Sequence, residues 1–212
     1  SIKSTIFIII SIFIILAIGS RGAIMCIGVY IILYLLINIR KANVKRALSN
    51  IIILLFIIFT VIFLREILIF ANTILNRIGI YSRSIDLFLE GEMYLSGRDI
   101  IYGEVINQIV SNPIFGIGLA GDRIYTGGVY SHNIFLEILS GFGIIMGSVI
   151  LIVIGFISIK SLFSRDLEGS NLMLIWFCIG FVPLTVSGSY LTEFQFWIFL
   201  GLAIKFLKDL KY

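Results

Sequence analysis

Arg98, Arg21 and His132 are the side chains whose type and setting fit them for chemistry on a charged substrate. Arg98 falls in Ser96-Gly97-Arg98-Asp99, a capping-box pattern opening a helix predicted over Ser96 to Val110. Unpaired backbone N–H groups and the positive end of the helix dipole favour an anion at such a start. A guanidinium added there makes a phosphate site; the alternative is a surface arginine paired with Asp99 or another carboxylate. Arg21, in Gly19-Ser20-Arg21-Gly22, stands at a tight junction between two apolar runs. It either binds a ligand at a membrane face or reaches lipid phosphates. His132 is the only histidine and lies in Tyr130-Ser131-His132-Asn133. With a reference pKa of about 6.5, imidazole is the usual group for removing a hydroxyl proton at neutral pH. At a helix start it also serves as an ordinary cap or interfacial residue.

Other motifs carry less. Gly116-Ile117-Gly118-Leu119-Ala120-Gly121 matches a dinucleotide-binding fingerprint by letter, but no βαβ unit surrounds it. It reads as a turn whose glycines let backbone approach a ligand closely. No His/Cys cluster or Asp-x-Asp pair supports a metal site, and Glu90-Gly91-Glu92 offers too few oxygens for a hard cation. No Gly-x-Ser-x-Gly elbow is present. Cys26 and Cys178 lie in apolar runs, where a thiol behaves as a small hydrophobe.

The elements that must position the three candidates follow from composition. The 212 residues are 59% apolar and only 13% charged, with a mean hydropathy of +1.12. A soluble domain carries about 25% charged residues, so this chain could not cover itself with a polar surface. Continuous apolar runs without strand-like alternation predict an all-α, polytopic transmembrane helical bundle. Six spans are predicted: Ser4 to Ser20, Gly22 to Ile39, Ala47 to Leu64, Ile138 to Ile159, Gly169 to Leu191 and Phe194 to Leu207. If they alternate, all seven lysines fall on one side, which the positive-inside rule makes the cytoplasm. Arg21, Arg65, Arg77, Arg83, Arg98 and Arg123 then share the outer side. Residues 1–212 are expected to form one membrane domain, and the chain, opening at Ser1 within an apolar run, reads as a piece of a longer protein. Residues 65–137 are the expected extracytoplasmic loop bearing the site, rich in Ile, Phe and Tyr and so ordered, with a further amphipathic helix over Ser84 to Glu92.

Taken in order, Gly19-Ser20-Arg21-Gly22, Ser96-Gly97-Arg98, Asn112-Pro113-Ile114-Phe115-Gly116-Ile117-Gly118, and Ser131-His132-Asn133 with Glu137 and Gly141-Phe142-Gly143 resemble the O-antigen ligase and polysaccharide polymerase family. The resemblance covers Ile10 to Ile159; Tyr102 departs from it, standing where many members carry Trp. It implies a metal-independent glycosyltransferase in the bacterial cytoplasmic membrane, with no cofactor and with its active site on the extracytoplasmic side. The implied partners are a polyprenyl-diphosphate-linked glycan donor, a glycan hydroxyl acceptor and the lipid bilayer, with a chain-length regulator or a flippase as protein partners and no nucleic acid. On this resemblance Arg21 and Arg98 bind the diphosphate, whose negative charge grows as the bond breaks, and His132 deprotonates the incoming hydroxyl. Arg123 and Asn133 orient substrate.

Heavy use of Ile and Lys points to a low-GC genome and so to polymerisation of repeat units for a capsule-type polymer. Transfer of a finished glycan to another acceptor, as by an O-antigen ligase, is the alternative within the family. A transporter or flippase of lipid-linked or anionic substrates is the alternative outside it; it calls for broken helices near the bilayer midplane, of which only Pro183 and Ser187-Gly188-Ser189 give a sign. The topology is tested by placing cysteine at position 98 and treating intact cells with a membrane-impermeant thiol reagent. Labelling equal to an external control is expected, and protection until the cells are lysed would reverse the assignment.

Overall fold

The computed structural model describes residues 21–38, 48–52, 62–81 and 97–209, with residues 55, 59, 85 and 89. Its well-defined elements are α1 (Arg21–Asn38), α2 (Leu64–Arg77), α3 (Arg98–Ser111), α4 (Asp122–Tyr125), α5 (Ile134–Leu162), α6 (Leu167–Gly180), a 3-10 turn (Val182–Thr185) and α7 (Phe194–Asp209). The fold of the described residues is therefore all-helical. The chain divides into two compact units, Ser1–Ile24 with Ile39–Tyr94, and Met25–Asn38 with Leu95–Tyr212.

In the first unit, α2 places Glu66 in its first turn and Arg77 in its last, each complementing the helix dipole. This helix was not expected inside the loop. The second unit is built on α5. Ile37 of α1, Leu162 of α5, Met173, Leu174 and Cys178 of α6, and Phe199 and Ala203 of α7 form one apolar core. Ile134, Ile138 and Ile154 of α5 form another with Leu184, Tyr190 and Phe196. Small residues let the helices approach and hydrogen-bond, as expected where the solvent is as apolar as the side chains. Ser170 Oγ of α6 donates to Ser161 O of α5 at 3.3 Å, and Asn38 Nδ2 of α1 to Asn171 Oδ1 of α6 at 3.1 Å.

Helix α5 has 29 residues and is long and apolar enough to cross a membrane, yet only 22% of its most apolar window is buried. Ile145, Ile152, Phe156 and Ile159 are each more than 60% exposed. An outward face of this kind is stable against lipid and costly against water.

The helix is broken at Gly143, whose φ of 75° and ψ of 172° interrupt its hydrogen-bond ladder. The segment after α3 repairs the break. Ile117 N and Gly118 N donate to Ser140 O and Gly141 O at 2.8 and 3.0 Å, and Ile144 N donates to Pro113 O at 2.7 Å. Backbone can come this close only because neither surface has a side chain. A Cβ on Gly116 (φ +68°) would lie 2.5 Å from Gly143 N, and one on Gly143 would lie 2.3 Å from Ile114 O. After the break, roughly 19 helical residues at 1.5 Å each give about 28 Å, close to the hydrocarbon thickness.

Among the described residues only Ile134–Leu162 has membrane length, and the apolar helices Met25–Asn38 and Leu167–Gly180 are shorter, so six spans are not confirmed. Other expectations are corrected. The fifth predicted span, Gly169 to Leu191, is not one helix. It stops at Gly180, and the chain continues through the 3-10 turn containing Pro183, which has no N–H to extend an α-helix, and then Gly188 at φ +78°. The N-cap of α3 is Gly97, in a left-handed conformation with no side-chain bond, one residue after the expected Ser96, which lies outside the described residues. The Gly116 to Gly121 turn lays its backbone against that of α5. The predicted span Ser4 to Ser20, nearly half of the span Ala47 to Leu64, and the predicted helix Ser84 to Glu92 apart from Ile85 and Leu89 lie outside the described residues.

Gly143→Ala and Gly116→Val are each expected to destabilise the protein by about 3 kcal/mol or more, through clash and left-handed strain together. Thermal unfolding in detergent measures this; a melting temperature unchanged in both variants would contradict the interlock.

Candidate functional site

The N-terminal end of α5 and the segment Thr185 to Tyr190 bring together residues far apart in the chain. Glu137, in the first turn of α5, is the hub. Its side chain is 2% exposed, and an unpaired carboxylate so buried would be very costly. Ser189 Oγ–H donates to its Oε1, and Tyr190 N donates to Oε2 at 3.2 Å. Arg123 Nη2 stands 3.9 Å from Oε1 and donates to Ser189 Oγ at 3.2 Å. A chain of charge-assisted bonds thus runs from the guanidinium through the hydroxyl to the carboxylate.

The same segment receives two further donors. Arg98, the first residue of α3, donates from Nη1 to Val186 O, and Asn133 donates from Nδ2 to Thr185 O at 3.1 Å. Asn133 also caps α5: its Oδ1 accepts from Phe135 N at 2.9 Å and Leu136 N at 3.2 Å. Its side chain therefore ties α5 to the turn that follows α6. A guanidinium has five N–H donors, and the Val186 bond uses one of Arg98's.

His132 precedes that cap in a left-handed conformation, φ 54°. Non-glycine residues adopt this region rarely and at a cost of about 1–3 kcal/mol, tolerated where surrounding contacts over-determine it. The contacts are present. Ser131 N donates to the buried Asp122 Oδ2 at 2.9 Å on one side, and Asn133 is locked by its cap on the other. The Tyr130 ring lies 4.3 Å from the imidazole, whose Nδ1 is buried without a hydrogen-bond partner among the described residues. Burial, reinforced by the nearby Arg98 guanidinium, holds the His132 pKa below its ordinary value. The ring is therefore neutral at pH 7, the form that can take a proton.

The structure brings Arg98, Arg123, His132 and Asn133 to one region. Arg21 opens α1, and its side chain lies outside the described residues. Glu137, Ser189 and Asp122 were not singled out as site residues from sequence. A lone carboxylate one turn into a long apolar run, and Ser-Gly-Ser inside a predicted span, were the available signals. Among the described residues no three of His, Cys, Asp and Glu are grouped closely enough to hold a metal ion.

The described residues are all-helical, with one apolar helix of membrane length among them and an arginine- and histidine-bearing site at that helix's N-terminal end. A family profile described as O-Antigen ligase matches residues 6–151, and the chain belongs to the O-antigen ligase family. Membership supports membrane glycosyl transfer of the O-antigen ligase or polymerase type, with a lipid-linked glycan as donor. The matched region contains every sequence-predicted site residue; the Thr185 to Tyr190 segment lies beyond it. No curated protein and no solved structure matches the chain.

His132 is the only histidine, so its imidazole signals need no assignment. In an NMR titration of the detergent-solubilised protein its midpoint is expected below the reference of about 6.5, and Arg98→Gln, which removes the neighbouring cation, should raise it. A midpoint at or above the reference, or no response to the variant, would contradict the described environment.

Proposed function

We propose that this protein polymerises polyprenyl-diphosphate-linked oligosaccharide repeat units at the outer face of the bacterial cytoplasmic membrane, without a metal. The observation that carries the reading is the gathering of Arg98, Arg123 and a neutral His132 around Thr185 to Tyr190 in a member of the O-antigen ligase family. In the proposed step His132 takes the proton from the acceptor sugar hydroxyl, and that oxygen forms a bond to the anomeric carbon of the donor. The bond from that carbon to the diphosphate oxygen breaks, and polyprenyl diphosphate leaves with the electron pair. Arg98 binds the diphosphate, where its guanidinium is always charged and offers paired donors to phosphate oxygens. Arg123, anchored by Ser189 and Glu137, orients the substrate, and Asn133 acts through the backbone by holding His132 in place. Arg21 keeps the phosphate-binding role that the resemblance implies.

The matching profile is described as a ligase, which keeps transfer to a different acceptor as the second reading. The acceptor separates the two. Full-length protein supplied only with lipid-diphosphate-linked repeat units, in the presence of a chelator, is expected to lengthen the glycan. His132→Ala should lower that rate about 100-fold or more. Growth that needs another acceptor would favour the ligase. A requirement for Mg or Mn would contradict the metal-independent step, and near-native activity of the variant would remove His132 from it.

A further inference from the structure

The opposite end of α5 carries a second feature unrelated to the chemistry above. Lys160 lies in the last turn of α5 and Lys208 in the last turn of α7, so the two C-terminal ends present their cations together. Between them runs a groove of about 370 Å³ lined by Phe156, Ile157, Lys160, Ile204, Leu207 and Lys208. That volume lies within the ~300–1,000 Å³ range of ligand pockets. No carboxylate lines the groove, and among the described residues neither lysine forms an ion pair. Lys160 Nζ sits 5.4 Å from the centroid of the Phe156 ring, a residue that is itself 62% exposed.

We propose that this groove binds an anionic phospholipid, with the phosphate between Lys160 and Lys208 and an acyl chain along Phe156, Ile157, Ile204 and Leu207. The order of chemistry along α5 selects this occupant. The groove lies where α5, a helix of membrane length, passes from its exposed isoleucine and phenylalanine face to its terminal lysine. That is the boundary between acyl chains and headgroups. A soluble anion would use the lysines and leave the apolar wall uncovered; a neutral lipid would cover the wall and leave the ammonium groups without a counterion. Basic pockets between helices at this level are suited to lipid headgroup phosphates, with each lysine contributing about 1 kcal/mol near an anionic surface.

The inference needs only that α5 lies in a bilayer, and its test reads no glycan transfer, so it stands apart from the proposed polymerase activity. The full-length protein in detergent is titrated with dioleoyl-phosphatidylglycerol or dioleoyl-phosphatidylcholine and followed by native mass spectrometry. The anionic lipid is expected to bind at least about 10-fold more tightly, within the factor that two such lysines supply. Lys160→Gln with Lys208→Gln should bring the two lipids to within about threefold, whereas Lys205→Gln, outside the lining, should preserve the preference. Equal binding by the native protein, or a preference that survives the double variant, overturns the proposal. Displacement of the bound lipid by millimolar inorganic phosphate would reveal a simple anion site and overturn it as well.

Discussion

The backbone seam between residues 113–118 and the break in α5 at Gly143 is the constraint on which the second unit depends. A helix in an apolar solvent cannot leave carbonyl and amide groups unpaired, since water is not there to satisfy them. Opening α5 at Gly143 frees such groups, and the chain leaving α3 supplies their partners. The arrangement couples two elements that otherwise share only side-chain packing. It fixes the end of α3, whose first residue is Arg98, against the N-terminal part of α5, which begins immediately after His132 and Asn133.

With α3 and α5 registered in this way, one buried carboxylate organises the rest. Glu137 accepts from Ser189 and Tyr190 and draws Arg123 towards it, so the segment between α6 and α7 is held over the N-terminal end of α5. Arg98 and Asn133 then find carbonyl acceptors on the same segment. The left-handed backbone at His132 follows from having both neighbours fixed. Burial there, with the Arg98 guanidinium adding to it, lowers the imidazole pKa and favours the neutral ring. The proposed pairing of a base with phosphate-binding cations is compatible with this setting, since burial and the Arg98 guanidinium both lower the imidazole pKa.

How much of this could be read from sequence differs with the physical origin of each feature. Helix α5 was expected over Ile138 to Ile159 and runs Ile134–Leu162, because a long apolar run between Asn133 and Lys160, charged only at Glu137, is specified by burial and capping together. Helix α7, expected over Phe194 to Leu207, runs Phe194–Asp209, and α3 was placed within two residues at its start. The break at Gly143 was not visible, since a glycine in an apolar run looks the same whether or not the helix continues through it. Its partner, Gly116, was recognised as part of a turn of close backbone approach, but its contact with α5 was not foreseen, because it joins segments remote in sequence. Glu137 was missed as a hub for the same reason: its partners lie more than fifty residues away, at Ser189 and Tyr190. Arg98 and His132 could be singled out because residue type limits what a cation or an imidazole in such a chain can do, and Arg123 through the family resemblance. The structure places Arg98 and Arg123 against the segment between α6 and α7, and His132 near Arg98.

The central claim is that Arg98 and His132 act on one reacting group from one site. A double-mutant cycle of Arg98→Gln and His132→Ala, read as kcat/KM for glycan growth by the full-length protein, tests it most directly. Residues serving the same transition state should be strongly non-additive, with a coupling of about 1 kcal/mol or more, so that the double variant loses less than the product of the single losses. Losses that multiply to within about 0.5 kcal/mol would show two independent roles and contradict a shared site.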